Sequence, residues 1–119
     1  MSEDDGIKRT FDSGATRDTA EGKLDYRGFL SPLALKRFAE YMHQHRVQSD
    51  GTLRDSDNWK RGIPRKEYMS CLFRHFMDFW SLHEDVMEGD IEDSLCALFF
   101  NVQGYLHEVL KSRRNLAGE

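Results

Sequence analysis

The sequence lacks most of the features that would assign a function directly. It has two cysteines and two prolines, and no apolar run is long enough to cross a bilayer. No block of basic residues is present, and the net charge of −4 argues against a general nucleic-acid-binding protein, because phosphates need cationic partners. The amino terminus does not resemble a signal peptide. We therefore expect a cytoplasmic protein that binds neither membrane nor nucleic acid.

Common motifs of nucleotide and metal sites are also missing. There is no glycine-rich phosphate loop, no histidine pair with metalloprotease spacing and no cysteine pair with zinc-site spacing. Cys71 and Cys96 both fall within apolar helical patterns, which favours buried free thiols over a disulfide. Any catalytic site must be built from other side chains.

Helical periodicity is what the sequence does contain. It predicts three helices, from Pro32 to about Arg46, from Pro64 to about His83, and from Ile91 to about Lys111. Asp90 is expected to cap the third helix, with Asp93 in the first turn. No strand is predicted. The predicted fold class is therefore all-α, a small helical bundle of three main helices with long ordered loops.

Two of these helices are apolar on more than one side. On the central helix the apolar side chains cover most of the circumference, and they are Met69, Leu72, Phe73, Phe76, Met77, Phe79 and Trp80. On the third helix the expected core face consists of Ile91, Leu95, Leu98, Val102, Leu106 and Val109. The expected opposite face consists of Asp93, Ala97, Asn101, Gly104 and Glu108. Gly104 costs about 1 kcal/mol against Ala in mid-helix, so close packing or ligand approach is expected there. Three helices of one chain cannot easily bury this much apolar surface, and we predict a homodimer or homotetramer.

The predicted organisation is a disordered acidic amino terminus (1–9), a single domain (10–111) and a polar carboxyl-terminal tail (112–119). The segment 10–28 has no period. It is either a surface coil or an ordered loop that places Arg17 and Lys23 over an anionic ligand. The segment 47–62 is long for a structureless connection, and Trp59 within it either anchors a lid or covers the core.

Acidic and amide side chains on helical faces are the candidates for chemistry, and they are Glu40, Asp78, Asp93, Asn101 and Glu108. Oxygen ligands from facing helices can bind Mg²⁺ or Mn²⁺ in a bundle, and such a metal can polarise a phosphoryl group. The alternative is a solvated charged face, with Arg74 and Asp78 as an ordinary i,i+4 pair. His43 and His45 either favour the dipole of the first helix or bind metal.

Five segments resemble, in order, the phage-type dATP/dGTP diphosphohydrolase N-terminal domain family, which is related to the MazG-like all-α nucleotide pyrophosphohydrolases. They are GATRDTAEGKLDY, FLSPLALKRFAEYM, RDSDNWKRGIP, RHFMDFW and EDSLCALFFNVQGYLHE. The most specific pieces are Asn58-Trp59 followed by Gly62, and Arg74-His75. The resemblance spans about residues 10–111. It implies Mg²⁺-dependent hydrolysis of a purine deoxynucleoside triphosphate to the monophosphate and pyrophosphate, in phage nucleotide-pool metabolism in the host cytoplasm.

The resemblance and the helical geometry together suggest residue roles. The expected catalytic residues are Arg74 and His75. The expected phosphate-binding residues are Arg17, Lys23 and Arg74. The base or pocket residues are Asn58, Trp59 and Asn101, and the expected ligands of Mg²⁺ or Mn²⁺ are Glu40, Asp78 and Asp93. MazG-like enzymes carry E-x-x-E and E-x-x-D, whereas the nearest sequences here are Glu40-x-x-His43, His75-x-x-Asp78 and Asp90-x-x-Asp93. This difference motivates an alternative, a non-catalytic nucleotide- or protein-binding phage module on the same fold.

Overall fold

The computed structural model describes residues 8–18 and 22–116. The chain divides into two compact units, and the division falls between Pro32 and Leu33. The predicted disordered stretch 1–9 lies outside the described residues except for Lys8 and Arg9, and the single domain over 10–111 stays a prediction. Within the described ranges, none of the helices combines the length and the apolar character that crossing a membrane requires.

The amino-terminal unit contains a short hairpin, so the prediction that the chain has no strand was wrong. Strand β1 (Lys8–Thr10) pairs antiparallel with β2 (Thr16–Asp18), and Arg9 lies opposite Arg17. The connecting turn places Gly14 at φ +90°, a conformation that glycine adopts without a steric penalty. Strands of three residues are too short to show a two-residue alternation, which is why the sequence did not indicate them. A one-turn helix, α1 (Tyr26–Phe29), follows the hairpin.

The predominantly helical character is confirmed. The three predicted helices are α2 (Pro32–Gln44), α3 (Arg65–His83) and α4 (Ile91–Leu116). The helix α4 extends past Lys111, so the part of the predicted polar tail that the structure describes is helical. The cap of α4 is also confirmed, because Asp90 Oδ1 accepts hydrogen bonds from the backbone N–H groups of Glu92 (2.8 Å) and Asp93 (3.3 Å). Both cysteines are free thiols; Cys96 is buried and Cys71 half-buried.

The helices α3 and α4 pack closely because Gly104 has no side chain. The ring of Tyr68 lies directly against the α4 backbone at Gly104, where a Cβ atom would overlap it. Tyr68 is only 1% exposed, and its ring also meets the edge of Phe100, with centroids 5.9 Å apart. Close packing was one of the two reasons that the sequence suggested for this mid-helix glycine, and it is confirmed.

The face of α4 that packs inward is the opposite of the one predicted. The buried residues of α4 are Ser94, Cys96, Ala97, Asn101 and Gly104. The predicted core residues Leu95, Val102 and Leu106 are exposed instead. Small and polar side chains let α4 approach the bulky Tyr68. The side of α4 that carries these small residues therefore packs on α3, and its most apolar side is exposed to solvent.

The helix α3 is also less buried within one chain than we expected from the apolar side chains around most of its circumference. Only Tyr68 is fully buried on it. Five of its large apolar side chains are exposed, and they are Met69, Phe73, Phe76, Met77 and Trp80. The part of the chain that the structure describes therefore leaves apolar surface on two helices.

The Gly104→Ala substitution tests the α3–α4 contact. Alanine should favour the helix by about 1 kcal/mol through its propensity, but its Cβ overlaps the Tyr68 ring, and overpacking costs about 1–3 kcal/mol. We expect a net loss of unfolding free energy in urea denaturation. The loss should be much smaller when Gly104→Ala is combined with Tyr68→Leu than in the wild-type background. A single variant more stable than the wild type would contradict the contact.

Candidate functional site

The segment after α2 folds back on itself in a hairpin-like turn. Val47 and Leu53 form an isolated antiparallel bridge, and Gly51 at φ +85° closes the turn. Asp50 Oδ1 accepts hydrogen bonds from Thr52 Oγ1 (2.6 Å) and from Thr52 N (3.0 Å). These bonds hold the pKa of the Asp50 carboxyl below its usual range. An Asp-Gly pair is a typical turn signal, and Asp50-Gly51 lies in the turn here.

The turn brings together two arginines that are eight residues apart. Arg54 N donates to Arg46 O at 2.7 Å, and Arg46 Nε donates to Arg54 O at 2.7 Å. Arg46 is half-buried and Arg54 is exposed. Within the described residues, no protein group bonds the Nη atoms of Arg46 or the guanidinium of Arg54. Both guanidinium groups are therefore available to an anion.

A 3₁₀ helix, Asn58–Arg61, places Trp59 against α4. The indole meets the ring of His107 edge-on, with centroids 5.0 Å apart, and the ring of Phe100 with centroids 6.2 Å apart. Trp59 is half-buried. It covers part of the core and also lines the cavity described next. A lid role stays a prediction.

These elements enclose a cavity of about 480 Å³, a size within the range of small-molecule sites. Its apolar and aromatic wall includes Tyr41, Met42, Trp59, Ile63 and Phe100. Its polar side chains include His43, His45, Arg46, Arg54, Asp55, Asn58, His75 and Asn101. We call this space the central cavity.

Cationic groups dominate the charge of the central cavity. The lining contains two guanidinium groups, those of Arg46 and Arg54, and one carboxylate, that of Asp55. The Asp55 carboxylate is itself paired with Arg61 at 3.5 Å. His45 Nδ1 donates to the carbonyl oxygen of Tyr41 at 2.8 Å, near the carboxyl end of α2. The dipole and metal roles expected of His45 stay predictions. Burial raises the pKa of the Tyr41 phenol, so its hydroxyl stays neutral. The arrangement suits an anion that carries an aromatic or apolar group.

Four of the residues predicted for the site lie together in this cavity. Asn58 and Trp59 come from the 3₁₀ helix, His75 from α3 and Asn101 from α4. Asn101 is buried, and its Nδ2 donates to the carbonyl oxygen of Ala97 at 2.8 Å. That bond orients the amide on the inward side of α4.

Arg74 and Asp78 are exposed on α3, and neither lines the cavity. Arg74 Nη2 donates to Cys71 Sγ at 3.0 Å, and Cys71 does line it. Arg74 is therefore connected to the cavity through one neighbour. Arg17 lies on β2 and Lys23 follows it, both exposed and both in the amino-terminal unit. Their predicted phosphate contacts stay predictions.

Glu40 and Asp93 lie in a second, open depression between α2 and the start of α4, which we call the α2–α4 groove. It is lined by Lys36, Arg37, Ala39, Glu40, His43, Gln44, Asp90 and Asp93. Arg37 Nη2 binds Asp93 Oδ1 at 2.7 Å, and Arg37 Nε binds Glu92 Oε1 at 2.7 Å. The Asp90 carboxylate lies 3.5 Å from Arg37 Nη2. Hydrogen bonds to Asp93 and then to Glu92 raise the pKa of Arg37, so its charge is permanent.

The positions of the acidic side chains decide whether a metal ion fits. Among residues 8–18 and 22–116, no three His, Cys, Asp or Glu side chains are grouped so that they could hold an ion. Asp78 lines neither the cavity nor the groove, and the Asp93 carboxylate is already bound by Arg37. The described residues of one chain therefore do not fit a three-ligand magnesium site, and the predicted metal ligands stay predictions.

Several cavity residues were not predicted, and Arg46 and Arg54 are the most important. Each lies four residues from Asp50, whose pair with Gly51 is a turn signal. That spacing was the available signal, because residues equally far from the centre of a tight turn come to lie opposite one another. His43 and Cys71 carry no comparable signal in the sequence.

Comparisons with family models, with curated proteins and with solved structures find no match to this chain. Membership of the dATP/dGTP diphosphohydrolase family stays a prediction that depends on the segments quoted above.

The substitution Arg37→Met tests the electrostatics of the α2–α4 groove. It leaves three neighbouring carboxylates without their shared cation, so we expect a lower melting temperature at low ionic strength. Salt screens exposed charges, and the difference from the wild type should therefore shrink as salt is added. Lys36→Met is the matched control, since it removes one positive charge from the next residue of the same helix. Equal losses in both variants would show that Arg37 has no special role.

Proposed function

We propose that the central cavity binds a purine deoxynucleoside triphosphate and that the protein hydrolyses it, with Mg²⁺ or Mn²⁺, to the monophosphate and pyrophosphate. The proposal extends to a role in phage nucleotide-pool metabolism. The observation that carries it is one cavity that combines an aromatic wall at Trp59 and Phe100 with the guanidinium groups of Arg46 and Arg54. A nucleotide presents the complementary pair of features, a flat ring and a chain of phosphates.

The base is proposed to lie beside Trp59 and Phe100. Aromatic faces stack on any nucleobase and contribute about 1–3 kcal/mol per base. The amides of Asn58 and Asn101 supply both donors and acceptors, and a base edge needs both. Side-chain amides that bind adenine bidentately in nucleic-acid complexes use the same chemistry.

The phosphates are proposed to lie beside Arg46 and Arg54. Guanidinium groups bind phosphate through two parallel hydrogen bonds, which are stronger than neutral ones. Attack of water at the α-phosphorus builds negative charge on phosphoryl oxygens, which these cations would stabilise. His75, half-buried in the cavity wall, is the candidate for moving the proton. Arg74 is proposed to act from the edge through its contact with Cys71.

A second candidate function is nucleotide binding without hydrolysis. The observation that favours it is the engagement of Asp90, Glu92 and Asp93 by Arg37, which commits these carboxylates to a contact within the chain. If this second candidate is right, nucleotide binding does not depend on a metal ion. No residue is assigned to a metal in either proposal.

Binding can be followed through Trp59. The chain has two tryptophans, so Trp80→Phe leaves Trp59 as the sole indole, and dATP or dGTP should quench its fluorescence. Arg54→Gln should weaken binding at least roughly tenfold, because a hydrogen bond to a charged group contributes about 1.5–3 kcal/mol. Arg65→Gln makes the same change at an exposed residue of α3 outside the cavity, and it should bind normally. Equal losses in the two arginine variants would contradict a phosphate site at Arg54.

Hydrolysis is tested by incubating the protein with each of the four deoxynucleoside triphosphates and Mg²⁺ or Mn²⁺. We expect monophosphate and pyrophosphate from the purine nucleotides, and loss of turnover in EDTA. His75→Gln should lower the turnover number while leaving the Trp59 binding signal in place. Binding without any turnover at high protein concentration would reject the enzyme and leave the second candidate.

A further inference from the structure

The helix α4 carries an apolar stripe on the side that faces away from α3. Its members are Leu95, Phe99, Val102, Leu106 and Leu110. They recur at intervals of four, three, four and four residues, and so lie along one side of the helix. Each of the five residues has between 38% and 54% of its surface exposed. Phe99, the least exposed of them, also contacts Phe38 of α2, with ring centroids 4.4 Å apart.

The stripe supplies a large part of the apolar area of a protein interface. Complete burial of one Val, Leu or Phe side chain removes roughly 60–120 Å² of apolar surface from water, so five that are about half exposed present on the order of 200 Å². An interface of standard size buries about 800 Å² per partner, of which a little more than half is apolar. The stripe can therefore form the apolar centre of such an interface, which the neighbouring polar residues complete.

The five residues of the stripe are placed symmetrically along the chain, although Ile91, which is also 38% exposed, continues the same side one turn further and has no apolar counterpart. Leu95 and Leu110 are equally far from the Val102–Gln103 peptide, and so are Phe99 and Leu106. In an antiparallel pair of identical helices centred at that peptide, each leucine of one copy meets a large apolar residue of the other, and Val102 lies beside the two-fold axis. Such an isologous contact is the commonest way in which identical subunits associate.

The charges at the two ends of α4 also favour antiparallel pairing. Its amino-terminal end has three carboxylates, Asp90, Glu92 and Asp93, against the single guanidinium of Arg37. Its carboxyl-terminal end has Arg113 and Arg114, and Glu92 and Arg113 are again equally far from the Val102–Gln103 peptide. Antiparallel pairing brings unlike ends together, whereas parallel pairing brings like ends together.

We propose that α4 pairs antiparallel with α4 of a second copy of this chain, about a two-fold axis beside Val102. The pairing covers the exposed stripe and joins the acidic end of each helix to the basic end of the other. This proposal specifies the surface and direction of the oligomer that the sequence predicted. It does not rest on the proposed nucleotide chemistry.

The oligomeric state of the full chain tests the surface. Light scattering after size exclusion should give twice the chain mass of 13.9 kDa for the wild type and the chain mass for Leu106→Glu. Leu116→Glu is the matched control, the same change on the same helix at a residue that is 88% exposed and lies beyond the stripe; it should stay dimeric. A monomeric wild type, or a Leu106→Glu variant that is still dimeric, would overturn the proposal. A monomeric wild type that Leu106→Glu unfolds would show instead that another part of the same chain covers the stripe.

Disulfide trapping tests the direction without destabilising the stripe. In a background with Cys71→Ser and Cys96→Ala, whose helical circular dichroism should match the wild type, Val102→Cys should oxidise to a linked dimer. Leu95→Cys alone should not, whereas Leu95→Cys with Leu110→Cys should. Linkage through Leu95→Cys alone would establish parallel pairing and reject the antiparallel one, because parallel helices bring identical positions together along their whole length. Val102→Cys should link in either direction, and its failure to link would reject this surface.

Discussion

The contact between Tyr68 and Gly104 is the constraint on which the rest of the helical unit depends. A full aromatic ring can lie against the α4 backbone only where α4 has no side chain. This contact fixes the rotation of α4 about its own axis, and the rotation has two consequences. It turns Asn101 and Phe100 toward the central cavity, and it turns Leu95, Val102 and Leu106 away from α3. The candidate ligand site and the exposed stripe are thus two results of one packing contact.

The central cavity brings together groups from five separate parts of the chain. The helix α2 contributes apolar side chains and a histidine, and the turn after it contributes two arginines. The 3₁₀ helix adds an indole and an amide, α3 a histidine, and α4 an amide and an aromatic ring. Of the carboxylates expected to hold a metal, Glu40 and Asp93 lie in the α2–α4 groove, where Arg37 binds Asp93, and Asp78 lines neither space. The charged side chains of the central cavity are therefore mainly cationic, as binding of an anion requires.

Local signals in the sequence predicted where the helices begin, because Pro32 is the first residue of α2, Pro64 directly precedes α3, and the Asp90 side chain caps α4. Of the four predicted residues that share the cavity, helical spacing selected Asn101, whereas Asn58, Trp59 and His75 lie in the segments that resemble the diphosphohydrolase family. The inward face of α4 was predicted wrongly, since a hydrophobic period identifies an apolar side but does not say whether its own chain or another covers it. Arg46 and Arg54 were missed because their proximity depends on how a turn closes. The hairpin at Lys8–Asp18 was missed because its strands are too short to show a period.

We expect one cavity to recognise both the base and the phosphates of a purine nucleotide. A crystal structure with a non-hydrolysable dATP or dGTP analogue and Mn²⁺ is the sharpest test. It should show a base beside Trp59 and Phe100, and phosphate oxygens within about 3 Å of the guanidinium groups of Arg46 and Arg54. A nucleotide bound instead in the α2–α4 groove, with the metal on Glu40 and Asp93 and the central cavity empty, would contradict it.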